Sequence, residues 1–102
     1  MARKEHKLTP KVIGVMLYSD SDGILLETTA WYDWLEDHTT FYLESAEGSF
    51  TARREARAGG SFWYAFRRVR RKLYKSYLGR STDLTCERLQ HIARRLAERT
   101  QG

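Results

Sequence analysis

Between Arg53 and Tyr77 the chain interleaves cations with aromatic rings. Arg53, Arg54, Glu55 and Arg57 are followed by Phe62, Trp63, Tyr64, Phe66, Arg67 and Arg68, and then by Arg70, Arg71, Lys72, Tyr74, Lys75 and Tyr77. Guanidinium and ammonium groups at that density do one kind of chemistry well: they meet phosphates and the acceptor edges of bases. If Phe50 and Ala52 point inward, the two-residue period of a strand sends Thr51, Arg53 and Glu55 to the other face. On the next strand Phe62, Tyr64, Phe66 and Arg68 share one face and Trp63, Ala65 and Arg67 the other. On the last, Leu73, Lys75 and Tyr77 oppose Tyr74, Ser76 and Leu78. The candidate contact set is Arg53, Glu55, Tyr64, Arg68, Lys75 and Tyr77 on a sheet face, with Arg70, Arg71 and Lys72 on the turn at its edge. The competing reading is a sheet whose long basic side chains are merely solvated.

Other reactive side chains form no constellation. His6 lies in the amino-terminal segment, His38 ends a short helical pattern, and His91 sits beside Arg94 and Arg95, with no Ser-His-Asp or Cys-His spacing. No glycine-rich phosphate loop follows a strand. Asp20, Asp22 and Gly23 begin like a calcium loop, but its closing Glu is due near position 31, which is Trp31. The single cysteine, Cys86, excludes an internal disulfide and a multi-cysteine zinc site. At a helix start its thiol pKa is expected to be somewhat lowered, in a small, half-buried side chain. No enzymatic activity, metal or cofactor is expected.

The formal charge of +5 conceals a split. Residues 1–50 carry four basic and nine acidic side chains, a net −5; residues 51–102 carry fourteen and four, a net +10. A basic surface studded with aromatics is the electrostatic footprint of a nucleic-acid binder. At 102 residues, 41% hydrophobic and 13% aromatic, the chain suits one small domain with a real core. No run approaches the roughly 18 apolar residues of a membrane helix. A cytoplasmic setting is expected.

Residues 1–10 read as a flexible tail and 11–102 as a single domain. Val12–Tyr18 and Ile24–Leu26, around Ser19–Gly23, read as a hairpin. Thr28 or Thr29 starts a helix to about Asp37, with Trp31, Trp34, Leu35 and His38 on one face and Asp33, Glu36 and Asp37 on the other. Strands are expected at Phe41–Glu44, Phe50–Arg57, Phe62–Arg68 and Leu73–Leu78. The last helix runs from Thr85, its N-cap, to about Arg99, with Leu89, Ile92, Ala93 and Leu96 as its apolar stripe.

From about Leu26 to Glu98 the sequence resembles the amino-terminal module of large bacterial LuxR-type transcriptional regulators. The resemblance rests on Trp31–His38, Ser49–Glu55, Trp63–Arg68, Lys72–Gly79 and Leu84–Leu89. It implies a signalling or transcription setting without the ATP-binding domain or helix-turn-helix of those regulators. A second likeness is architectural. A three-stranded sheet ending in Tyr77-Leu78-Gly79 before a helix is similar to the arm-binding domain of tyrosine recombinases and to the plant ethylene-response DNA-binding domain. That likeness implies entry of the open sheet face into a major groove. By position it puts Lys75 and Tyr77 at basic and aromatic contact sites and Arg53 and Arg68 at basic ones.

The expected fold is α+β: a three- to four-stranded antiparallel sheet packed by the carboxyl-terminal helix, with the short tryptophan helix and the amino-terminal hairpin added. Trp34, Leu35, Phe50, Ala52, Ala65, Leu78, Leu89, Ile92 and Leu96 should supply much of the core. The expected function is sequence-selective binding of double-stranded DNA, in transcriptional control or as a mobile-element accessory factor. Its rival is a protein-interaction module that pairs with a second copy or a partner regulator. RNA binding through exposed Tyr and Trp is the third reading.

Overall fold

The computed structural model describes residues 9–19 and 22–101, and these form one seven-stranded sheet with two helices. The strands are β1 (Lys11–Ile13), β2 (Met16–Ser19), β3 (Asp22–Leu25), β4 (Thr40–Glu44), β5 (Phe50–Arg57), β6 (Gly60–Val69) and β7 (Lys72–Gly79). Helix α1 spans Thr29–Asp37, and α2 spans Cys86–Gln101 after a 3-10 turn at Ser81–Asp83. The sheet order is β3-β2-β1-β4-β5-β6-β7, antiparallel throughout except where β1 lies parallel to β4.

The α+β class and the carboxyl-terminal helix agree with the sequence; the sheet size does not. The apolar run at Val12–Tyr18 is not one strand. Gly14, at φ 63, turns the chain in two residues and pairs Ile13 with Met16, so β1 and β2 form a hairpin of their own. The expected hairpin around Ser19–Gly23 is the β2–β3 pair, whose turn at Asp20 and Ser21 lies outside the described residues. The calcium-loop start falls partly on the same pair. Most of the expected tail, residues 1–8, is likewise outside them.

Local signals place both helices. The Thr28 hydroxyl accepts from the Trp31 backbone N–H at 3.3 Å, and the Thr85 hydroxyl from that of Arg88 at 3.1 Å. Each satisfies a donor that the first helical turn leaves unpaired. Gly48, at φ 148, lets the β4–β5 turn press on α2. A Cβ there would stand 2.8 Å from the Ala93 carbonyl oxygen.

One face of the sheet carries the core. Val12, Leu17, Phe41, Leu43, Phe50, Ala52, Trp63, Ala65 and Leu78 are buried and, by register, lie on the same side. Leu84, Leu89, Ile92, Ala93 and Leu96 come down on them from α2 and the segment before it, and Trp31, Trp34 and Leu35 from α1. All nine residues expected in the core are there. Two indole N–H groups are satisfied inside: Trp31 Nε1 donates to the Leu84 carbonyl at 2.8 Å and Trp63 Nε1 to Ser81 Oγ at 2.9 Å. These bonds tie the 81–84 segment to both layers, as burial of an indole requires. Trp63 is fully buried, so it is no exposed stacking platform.

Candidate nucleic-acid interface

Both helices pack on the same side, so among the described residues nothing covers the opposite face of β5, β6 and β7. Register aligns Arg53 with Tyr64 and Tyr64 with Tyr77, and Thr51 with Phe66 and Phe66 with Lys75. Glu55 stands opposite Phe62, and Arg68 opposite Leu73. The outward set expected from the two-residue period is therefore brought together: Arg53, Glu55, Tyr64, Arg68, Lys75 and Tyr77. A bulge between Trp63 and Tyr64 in the β6–β7 pairing leaves Leu78 pointing into the core beside Gly79 without flipping Tyr77.

Cations lie over the rings of this face. Lys75 Nζ is 4.4 Å from the Tyr64 ring centre and 5.4 Å from that of Phe66. The Arg57 guanidinium is 5.2 Å from Tyr64, Arg53 is 5.7 Å from Phe66, and Arg80 is 5.0 Å from Phe62. Such contacts contribute roughly 0.5–1 kcal/mol each at exposed sites. They also hold long side chains in place, which lowers the entropy lost when those groups meet a ligand. Tyr77 is 47% exposed and meets Tyr64 edge-on at 5.6 Å. Glu55 is engaged by Arg57 and, at 3.3 Å, by Lys75, so its carboxylate sits inside the cationic cluster.

Arg70 and Arg71 form the two-residue β6–β7 turn with φ of 53 and 71. Both central positions of a type I′ turn lie in the left-handed region, which Asn and Gly fill most easily. Two arginines there are strained, and both are exposed. Lys72 departs from expectation. It is the first residue of β7, opposite Val69, and its ammonium lies 5.2 Å over the Tyr74 ring, on the helix side of the sheet. Two-residue alternation from Lys75 places it there, because a two-residue loop leaves position 72 inside the strand.

The expected contact set omits Arg57, Phe62, Phe66 and Arg80, although alternation puts Phe62 and Phe66 on the same face as Tyr64. Arg57 and Phe66 follow from the same period that gave Arg53 and Tyr64. Arg80 has no such signal, since it reaches Phe62 from beyond the end of β7.

The Cys86 expectation is reversed. Burial first, and then the Glu27 carboxylate, push the thiol up from its ordinary value. Glu27 Oε2 accepts from the Cys86 backbone N–H at 2.7 Å, so an acid from a distant loop occupies the helix terminus that would have favoured a thiolate. The same two causes raise the Tyr32 hydroxyl. Among the described residues no cluster of His, Cys, Asp and Glu is arranged to hold a metal ion. Among the same residues no helix is long and apolar enough to cross a membrane.

The outer face changes character along the sheet. Ile13, Met16 and Leu25 lie in one row across β1, β2 and β3, next to Tyr18 and to Val15 on the turn, and most of these are about half exposed. Among the described residues the one cation there, Lys11, pairs with Glu44 at 3.2 Å. The chain matches no family model, no curated protein and no solved structure with which it was compared.

Proposed function

We propose that the chain binds double-stranded DNA through the open face of β5–β7, led by the β6–β7 ribbon. The observation that carries this reading is a sheet face on which no element of the described residues packs, where Arg53, Arg57, Lys75 and Arg80 lie over rings and outnumber Glu55, the carboxylate that Arg57 and Lys75 share. A seven-stranded sheet, at about 4.8 Å per strand, is roughly 29 Å across and cannot enter a major groove about 12 Å wide. The β6–β7 ribbon can. It extends past the amino-terminal end of β5, which pairs no further along β6 than Phe66, and it ends in Arg70 and Arg71. Arg68 and Lys75 on the ribbon and Arg53 beside it then face base edges, and the tip meets phosphates.

The occupied rings favour a duplex over single strands. A base stacks on an open ring, and cations already lie over Tyr64, Phe66 and Phe62. Sequence selectivity and a place in transcriptional control or as a mobile-element accessory factor belong to the same proposal. The transcriptional setting is what the LuxR-type resemblance of the sequence implies, and groove entry is what the recombinase-arm likeness implies for β5–β7 and the helix after them, here within a sheet of seven strands and not three. The protein-interaction reading has one observation in its favour, the apolar row Ile13, Met16 and Leu25 at the far end of the same face.

Fluorescence anisotropy with duplex DNA, single-stranded DNA and RNA at two or more salt concentrations tests the proposal. With some four to six phosphate contacts, log affinity for duplex falls against log salt with a slope of about −4 to −5. Absence of duplex binding near 50 mM salt at micromolar protein refutes it and leaves the interaction module.

A further inference from the structure

On α2, Arg88, His91, Arg95 and Arg99 fall at i, i+3, i+7 and i+11 and form a stripe next to the apolar stripe Leu89, Ile92 and Leu96. This stripe faces the free edge of β7. Two cavities open along it, of about 490 and 230 Å³, and both are lined by Tyr77, Arg88 and His91. Arg94 lines the larger cavity, and Arg95 and Arg99 the smaller. They describe one groove between the last strand and the last helix.

Two of the arginines are pinned by the sheet. Arg88 Nε donates to the Leu78 carbonyl at 2.9 Å and its Nη2 to that of Tyr77 at 3.3 Å, while Arg99 Nη1 donates to that of Lys75 at 3.3 Å. The carbonyls of Lys75, Tyr77 and Leu78 are therefore taken, and a peptide strand adding along this part of the edge would have to displace three charge-assisted bonds. A ligand here meets side chains, not the backbone edge. Among the described residues no carboxylate lies within 4.0 Å of a stripe cation or of Arg94. Asp83 and Glu87 line the larger cavity toward the start of α2, so the anion-attracting end is the one at His91, Arg94 and Arg95.

Tyr77 joins this groove to the sheet face. Its ring lies on the open face, and its carbonyl is held by Arg88 in the groove. A duplex seated on β6–β7 has a groove wall, and so a phosphate backbone, passing the β7 edge. We infer that the groove between β7 and α2 binds that sugar–phosphate backbone, with His91, Arg94 and Arg95 meeting phosphates and Arg88 and Arg99 holding the strand edge that positions them. The inference rests on the duplex reading of the sheet face. It adds a second contact surface, on the helix side of the molecule.

The test compares Arg94→Ala/Arg95→Ala with Arg53→Ala/Arg68→Ala on one duplex across a salt series, with far-UV circular dichroism as the check on folding. The groove variant should lower the salt slope by about two units and weaken selected and scrambled duplexes alike. Arg94→Lys/Arg95→Lys should restore the slope, because a phosphate accepts a point charge as well as a fork. If the wild-type chain binds duplex and the sheet variant weakens it while the groove variant leaves slope and affinity unchanged, the groove inference is overturned alone. No duplex binding by the wild type overturns the sheet reading and the groove with it. A groove variant that loses affinity on one sequence only would show base reading by α2, and it also overturns the backbone assignment.

Discussion

The pair Arg70→Asn/Arg71→Gly should stabilise the fold and weaken DNA binding together. Arg70 and Arg71 hold φ of 53 and 71 at the tip of the β6–β7 ribbon. A residue with a Cβ loses roughly 1–2 kcal/mol in the left-handed region. Asn relieves part of that at position 70 and Gly nearly all at position 71, a gain of about 2–3 kcal/mol. Against it stands the freedom Gly adds to the unfolded chain, about 0.5–1 kcal/mol. The net is a gain of about 1–2 kcal/mol, which for a chain of this length raises Tm by roughly 5–10 °C. Neither arginine has a hydrogen bond or ion pair among the described residues, so nothing in the fold offsets the relief. Thermal melts and urea titration read the first effect; the m-value should not move. Anisotropy reads the second, as a salt slope lower by about two units. A variant that melts lower, or at the same temperature, refutes the strain argument. One that melts higher and binds duplex unchanged refutes a role for the tip.

Trp34 stacks on His38 with ring centres 4.0 Å apart and is 8% exposed, so Trp34→Ala should cost roughly 3–5 kcal/mol in a urea titration. An unchanged midpoint would make α1 peripheral to the fold. Arg53→Ala or Arg68→Ala should cost about 1–3 kcal/mol on a selected duplex and relax preference at one base position, whereas Arg71→Ala should weaken selected and scrambled duplexes alike. Equal losses from both kinds of variant on both duplexes would show that the sheet does not read bases. Because burial and Glu27 raise the Cys86 thiol above its ordinary value, the folded chain keeps its proton where the unfolded chain loses it. That contribution to stability is complete below the ordinary thiol range and is lost as pH rises through and above that range. Thiol alkylation should accordingly be slower in the native protein than in urea at mildly alkaline pH, and equal rates would contradict the upward shift of this half-buried thiol.

Local features of this chain are legible in its residues alone. Alternation assigned Arg53, Tyr64, Lys75 and Tyr77 to one face of β5, β6 and β7, because a strand's side-chain period is two and short loops fix the register between neighbours. Hydroxyl caps at Thr28 and Thr85 and the 3.6-residue stripes located α1 and α2 to within a residue or two at each end. Contacts between distant segments emerge only once the chain is folded. The parallel pairing of Lys11–Ile13 with Tyr42–Glu44 crosses some thirty residues and has no turn to announce it, so a sheet expected to have three or four strands has seven. The same packing set both helices on one side and left the basic face open, an outcome that alternation alone leaves undecided between two faces. It also put Glu27 against the first turn of α2 and reversed the expected shift at Cys86, since a pKa answers to whatever charge lies nearest in space. The groove between β7 and α2 has the same origin. Its stripe of arginines with His91 is written in the helix, but the carbonyls that hold Arg88 and Arg99 come from a strand that the fold brings alongside.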